Sequence, residues 1–96
     1  MLRIVKMVFS SHSSEAFLKH FHNSAPKIRA FPGCLSLQLL RDRDQPHIFF
    51  TYSEWKSTAD LEAYRKSELF TSTWARVKPL FREKPQAWSV DQIWHE

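Results

Sequence analysis

The chain has a single cysteine, one glycine and no long apolar run. Cys34 has no partner within the chain for a disulfide, so nothing indicates an oxidising compartment and we expect a cytoplasmic protein. No apolar run approaches the roughly 20 residues that span a bilayer, and the N-terminus, in which basic and apolar side chains alternate over residues 1–6, lacks the apolar h-region of a signal peptide. We therefore expect no membrane partner.

The sequence also lacks a concentrated block of charge of one sign. Fourteen Lys and Arg against ten Asp and Glu give a formal net charge of +4. The basic residues are scattered, and Glu68 and Glu83 interrupt the most basic stretch, residues 65–84. Because proteins that bind nucleic acids usually gather positive charge on one face, we expect no nucleic-acid partner.

Aromatic residues are abundant, with eight Phe, four Trp and two Tyr among 96 residues. A chain of this length buries only about 60–65% of the surface that its unfolded state exposes. Such a domain can hardly hide this much apolar area alone. We therefore expect one domain over residues 1–96, with a partner subunit or a ligand cavity covering the remainder.

Periodicity and turn signals predict the order strand, helix, strand, strand, helix, strand. The strands are predicted over residues 2–9, 34–42, 47–55 and 86–95, and the helices over residues 14–30 and between residues 57 and 79. Pro26 should break or kink the first helix near Ser24, and Ser67 marks a small break in the second helical region. With right-handed crossovers, this βαββαβ order predicts a ferredoxin-like α+β fold, a four-stranded antiparallel sheet with its helices on one face.

The alternation in the second strand indicates which of its side chains face the helices. Leu35, Leu37 and Leu39 share one side, and Ser36 and Gln38 share the other. We expect the leucines to pack under the helices. The opposite face of the sheet then carries bulky side chains that no helix covers, and the simplest cover is a second copy of the chain, so we expect a homodimer.

Three motifs resemble the antibiotic-biosynthesis monooxygenase-type domain of the dimeric α/β-barrel superfamily. They are Phe-Pro-Gly-Cys at residues 31–34, Trp-Lys-Ser at residues 55–57 and the helical segment at residues 61–70. The resemblance covers nearly the whole chain and implies a dimeric α/β barrel. It also implies oxygenation of a small aromatic, phenolic or quinol-like compound without a cofactor, in a group that includes haem-degrading oxygenases and members with no known activity.

The chain departs from the haem-degrading branch that it resembles. That branch carries an Asn on the first strand, which this chain lacks, and a His where Trp74 stands here. An indole cannot ligate iron in place of an imidazole, so the comparison implies no haem chemistry. The chain also has no HExxH, CxxC, glycine-rich phosphate loop or nucleophile elbow, and we expect neither a metal nor another cofactor.

The predicted site consists of four aromatic side chains and one histidine. Tyr64 and His20 are the predicted catalytic residues, because a phenol hydroxyl can hold a substrate oxygen and an imidazole can act as a base. Trp55, Trp74 and Phe70 are the predicted substrate-binding residues, in a pocket between the helices and the sheet. The alternative is that Tyr64, Trp55 and Trp74 are core side chains with a polar tip at the surface, and that His20 is a solvated residue at the core edge.

The sequence leaves three functions open. The first is an oxygenase-like enzyme, and the second is a dimeric ligand-binding or stress-associated domain of the same fold without turnover. The third, an RNA-binding domain with the same element order, is disfavoured because residues 47–52 lack the glycine and the leading basic residues of its signature. A ligand-sized cavity lined by polar side chains would favour the enzyme, and a filled core would favour the non-catalytic domain.

Overall fold

A computed structural model describes residues 1–96, which form four strands and three α-helices. The strands are β1 (Leu2–Phe9), β2 (Cys34–Arg41), β3 (Ile48–Trp55) and β4 (Phe81–Val90). The helices are α1 (Ser14–Arg29), α2 (Thr58–Arg65) and α3 (Glu68–Val77), and a 3₁₀ turn, Lys78–Leu80, follows α3. The ferredoxin-like arrangement is confirmed, with the second helical region divided into two helices. None of the helices is both long and apolar enough to cross a lipid bilayer.

The four strands form one antiparallel sheet in the order β2-β3-β1-β4. The central strand β1 pairs on both sides, so that Val5 stands opposite Thr51 of β3 and Ala87 of β4. Side chains alternate between the two faces of a strand. The inward-pointing residues of β1 and β3 therefore lie at the middle of the face that the helices cover.

The core under the helices consists of two buried clusters. The larger one contains Met7, Phe9, Phe17, Phe49 and Val77. The smaller one contains Cys34, Trp55 and Leu61. The members that β1 and β3 contribute to these clusters are all odd-numbered, as the period of a strand requires, and the helices and β2 contribute the other members.

Serine side chains begin both short helices. Ser57 Oγ accepts a hydrogen bond from the Asp60 amide at 3.1 Å and donates one to the Asp60 carboxylate at 3.0 Å. Ser67 Oγ accepts from the Phe70 amide at 3.1 Å and donates to the Tyr64 carbonyl at 2.6 Å. The predicted break at Ser67 is confirmed, and Ser57 and Ser67 cap the two helices in the same way.

Helix α1 runs through Pro26 without interruption, so the predicted break near Ser24 is wrong. Proline removes the amide that would bond to the carbonyl of His22. His22 is exposed, where water can satisfy that carbonyl, and the helix ends at Arg29, within a turn of the proline. The cost of Pro26 is therefore small enough for the packing of α1 to outweigh it.

The last strand begins earlier than predicted. β4 starts at Phe81 and ends at Val90, and residues 91–96 lie outside it, so the predicted span of 86–95 is wrong at both ends. Pro85 lies inside the strand because β4 is an edge strand. The register of β4 shifts just after its pairing with Lys6, and Pro85 falls at this irregularity, where a missing ladder amide is tolerated.

A β-bulge corrects the predicted orientation of Leu35. Cys34 and Ser36 pair with consecutive residues of β3, which leaves Leu35 as the extra residue of the bulge, 48% exposed. Cys34 takes the inward position instead and packs in the smaller cluster. Leu37 and Leu39 face the helices as predicted.

Candidate functional site

A cavity of about 120 Å³ lies between the helices and the covered face of the sheet. Its walls include members of the larger core cluster and Tyr64, which packs against the smaller one. Of its fourteen lining residues, ten are hydrophobic. The other four are Arg3, Thr51, Ser53 and Thr73. In its lining the site is an apolar chamber with a few polar groups, like most small-molecule sites, although its volume is below the roughly 300–1,000 Å³ that is usual for them.

The floor of the cavity follows from the inward-facing residues of β3. Phe49 and Trp55 are large and buried at the two ends, whereas Thr51 and Ser53 between them are small. The small side chains of Thr51 and Ser53 leave space between the sheet and the helices. The larger side chains of Phe49 and Trp55, on either side, keep that space open. Ser53 Oγ accepts a hydrogen bond from Trp55 Nε1 at 3.0 Å, which fixes the floor at one end.

Tyr64 lies at the end of α2, and three aromatic rings hold its side chain. Its ring centroid is 5.2 Å from that of Trp55, 5.4 Å from that of Phe31 and 5.3 Å from that of Phe70. Its ring therefore has little freedom to turn. The hydroxyl makes no hydrogen bond within the chain, although the backbone carbonyl accepts one from Ser67. Tyr64 is also a lining residue of the cavity, which makes this unpartnered hydroxyl the candidate donor to a bound molecule.

The electrostatics of the site make Tyr64 a hydrogen-bond donor. Burial raises the pKa of Tyr64 to about 12, and the neighbouring Cys34 adds a smaller effect in the same direction. A phenol with this pKa keeps its proton throughout the physiological range. It can donate to a substrate oxygen, and it cannot serve as a base there.

Helix α3 supplies the opposite wall of the cavity. The rings of Phe70 and Trp74 are almost parallel, with an interplanar angle of 8° and centroids 5.9 Å apart. Both side chains line the cavity together with Tyr64. The structure therefore brings together three of the five predicted site residues, because the break at Ser67 lets α3 follow α2 along the same face.

The other two predicted residues, Trp55 and His20, do not line the cavity. Trp55 is only 2% exposed and lies behind Tyr64, with its Nε1 occupied by Ser53. It supports the wall and does not form its surface. His20 lies on α1 beside the buried stripe and is half-buried, and none of the five histidines lines the cavity. The base role predicted for His20 therefore has no geometric support in the structure.

Arg3 is a lining residue that the sequence reasoning missed. Its side chain lies on the face of β1 that points toward the helices, as do those of Val5 and Met7. Arg3 Nη1 donates a hydrogen bond to Ser89 Oγ at 2.9 Å. A charged residue among the otherwise apolar, inward-facing residues of a strand is a signal that could have identified Arg3. Arg3 also lines a second cavity, of about 160 Å³, which adjoins the first.

The single cysteine of the protein, Cys34, stays protonated as a thiol. Burial raises the pKa of Cys34, and its Sγ donates to the Ser36 carbonyl at 3.6 Å. The thiolate is the nucleophilic form, so Cys34 is a structural core residue. No group of three or more His, Cys, Asp or Glu side chains is placed to hold a metal ion.

The fold and the cavity together define a ferredoxin-like α+β protein with an aromatic chamber between its helices and its sheet. Residues 2–76 match the family model described as antibiotic biosynthesis monooxygenase. The chain belongs to this family, and membership supports a monooxygenase role. No curated protein matches the chain significantly in sequence.

Solved structures show the same fold over nearly the whole chain. A candidate antibiotic biosynthesis monooxygenase from Nitrosomonas europaea superposes with a TM-score of 0.90 at 18% identity, covering 97% of this chain and 98% of that chain. Another, from Caulobacter crescentus, has a TM-score of 0.90 at 20% identity, covering 96% of this chain and 88% of that chain. At these identities the likeness establishes the fold alone.

Proposed function

We propose that the protein is a cofactor-independent monooxygenase that acts on a small phenolic or quinol-like compound bound in the cavity. Family membership supports the oxygenase role. The observation that supports the choice of substrate is the unpartnered, protonated hydroxyl of Tyr64, a residue that lines a mostly apolar chamber. Such a donor is suited to hold the oxygen of an aromatic substrate and the anion that forms on it.

The cavity positions an aromatic ring through its own rings. The faces and edges of Phe70 and Trp74 offer stacking and edge-to-face contacts to a planar ligand. In this pose the ligand oxygen accepts a hydrogen bond from Tyr64. The aromatic groups behind Tyr64 prevent its hydroxyl from moving away, so the ligand needs little reorganisation of the site.

Loss of the substrate proton is favoured by charge stabilisation. With no histidine in the lining and Tyr64 protonated, the chain offers the substrate donors and a positive charge, the guanidinium of Arg3. A nearby cation and a hydrogen-bond donor both oppose the rise in pKa that burial imposes on a bound phenol. The proton then leaves to water, and the resulting anion is electron-rich enough to react with dioxygen.

The proposed reaction balances without an external reductant. In an anthrone-type substrate, both C–H bonds of the CH₂ carbon conjugated with the phenolate break together with the O–O bond, and a C=O bond forms. The second oxygen atom leaves as water with the two hydrogens from the carbon. The substrate supplies all four electrons that reduce dioxygen, and the role of the protein is to bind, orient and stabilise the anion.

Aerobic incubation with a panel of quinols, anthrones and polyphenols tests this function. We expect oxygen uptake without added flavin or metal, with one dioxygen consumed per molecule of product. Uptake that requires an added flavin or metal would contradict cofactor independence. No uptake with any member of the panel would contradict the oxygenase proposal.

A second candidate is a ligand-binding domain of the same fold without turnover. The absence of histidine from the cavity lining favours it, because the site then lacks a side chain that titrates near neutral pH. Both candidates predict binding of aromatic compounds. Only the enzyme predicts oxygen uptake, so the same panel separates them.

We also propose that the protein is a homodimer in which a second copy covers the helix-free face of the sheet. On this face Leu40, Trp88 and Val90 are 45%, 44% and 38% exposed. Trp88 pairs with Ile4, and Leu40 with Phe50, so the apolar side chains adjoin one another across strands. A two-fold axis brings the same patch of both copies together, so each copy would cover the apolar side chains of the other.

A further inference from the structure

Two arginines meet at the second cavity, which adjoins the aromatic chamber. The two cavities share the side chains of Arg3, Val5, Phe70 and Trp74. The second cavity adds Arg65, from the end of α2, with Pro85 and Ala87 of β4. A ligand ring held by Phe70 and Trp74 therefore has two guanidinium groups close to one of its edges.

The positive charge at this place is not fully compensated. The two ion pairs of the chain, Arg65–Glu62 and Arg82–Glu83, leave Arg3 without a carboxylate partner. The side chain of Arg3 bonds only to the neutral hydroxyl of Ser89. Burial and the charge of Arg65 lower the pKa of Arg3, and Glu62 offsets part of this. The two guanidinium groups of Arg3 and Arg65 therefore share a single carboxylate, that of Glu62.

We propose that Arg3 and Arg65 form an anion-binding subsite and that the ligand of this protein is an aromatic acid. The ring lies against Phe70 and Trp74, and the carboxylate lies between the two guanidinium groups. This inference rests on the proposed function only in placing the ring in the same cavity. Guanidinium groups match a carboxylate through paired N–H donors, and Arg65 uses only Nη1 for Glu62.

Glu62 sets the strength of the subsite. Its Oε1 accepts from Arg65 Nη1 at 3.1 Å, so it competes with a ligand carboxylate for the same cation. Replacing it by glutamine removes the negative charge and keeps the shape of the side chain. The Glu62→Gln variant should therefore bind an aromatic acid more tightly and bind its neutral amide unchanged.

Calorimetric titration of the full chain with naphthoate, naphthamide and naphthol tests the subsite. The acid and the amide have nearly the same shape and differ in charge. We expect naphthoate to bind about tenfold more tightly than naphthamide, which corresponds to about 1.4 kcal/mol. Arg65→Gln should reduce this preference, because it lowers the affinity for naphthoate much more than the affinity for naphthamide. Arg76→Gln, which removes an exposed arginine of α3 outside both cavities, is the control with the same change in net charge.

Several outcomes would overturn the subsite. Two of them concern the wild type: equal affinities for the acid and the amide, or no binding of any probe. The others concern the variants: equal losses of naphthoate affinity in Arg65→Gln and Arg76→Gln, or no gain of naphthoate affinity in Glu62→Gln. If naphthol still binds and the phenol panel still consumes oxygen, the inference fails while the proposed function stands. An acid preference that depends on Arg65, without any oxygen uptake, supports the subsite and contradicts the proposed function.

Discussion

The phenol ring of Tyr64 stacks on the indole of Trp55, with ring centroids 5.2 Å apart and ring planes inclined by 26°. Trp55 is itself fixed by the hydrogen bond from its Nε1 to Ser53 Oγ at 3.0 Å. The buried side chain of Trp55, on β3, thus holds the ring of Tyr64, the hydrogen-bond donor that α2 contributes to the cavity. This arrangement gives the Tyr64 hydroxyl a fixed position without using its hydrogen-bonding capacity inside the protein.

Tyr64→Phe should separate function from stability. The hydroxyl has no partner in the chain, so we expect the free energy of unfolding in urea to change by less than about 1 kcal/mol. Oxygen uptake should fall at least about tenfold, a loss of about 1.4 kcal/mol of transition-state stabilisation. Tyr52→Phe, on the helix-free face, is the control and should keep full activity. An active preparation that keeps full turnover after Tyr64→Phe would exclude the proposed role of the hydroxyl.

The raised pKa of Tyr64 predicts a loss of stability in alkaline solution. In the folded chain this pKa is about 12, compared with 10 for an ordinary tyrosine. The unfolded chain therefore releases the proton first, and stability present below pH 10 is lost as the pH rises through 12. Across this window the wild type should lose up to about 3 kcal/mol more unfolding free energy than Tyr64→Phe. Parallel urea unfolding curves at several pH values measure it, and identical pH dependence of the two proteins would contradict it.

The parts of the site that could be predicted from the sequence are those that local patterns determine. Ser67 is a helix cap by its side-chain chemistry alone, and the spacing around it brings Tyr64, Phe70 and Trp74 to one side. The element order likewise follows from periodicity, and it leaves few topologies for two helices and four strands. These features needed no knowledge of which strands pair.

The features that could not be predicted depend on partners distant in the chain. Leu35 points outward because Cys34 and Ser36 pair with consecutive residues of β3, and this register appears only when the strands meet. Pro85 lies within a strand because β4 is at the sheet edge. The role of Arg3 requires the ends of β1, α2 and β4 to converge, so no local pattern shows the second cavity.

Gly33→Ala should destabilise the fold. Gly33 has a φ of +88°, which L-residues rarely adopt, and a Cβ atom there would overlap the side chain of Asp60. The overlap also disturbs the bond by which Ser57 caps α2. We expect a loss of at least about 2 kcal/mol in urea unfolding, from backbone strain and the displaced cap together. Asp60→Ala measures the contribution of the Asp60 carboxylate separately, and a change below about 0.5 kcal/mol in Gly33→Ala would contradict this account.

Trp88→Glu should convert the proposed dimer into a monomer. Trp88 is 44% exposed on the helix-free face and pairs with Ile4 on the neighbouring strand, so a charge there would be buried against apolar side chains of the second copy. Trp94→Glu is the matched control, because Trp94 is 74% exposed and lies beyond the sheet. In sedimentation at micromolar concentration, the wild type and Trp94→Glu should have the mass of two 11.4 kDa chains, and Trp88→Glu the mass of one. A monomeric wild type would exclude the dimer, and a dimeric Trp88→Glu would place its interface on another surface.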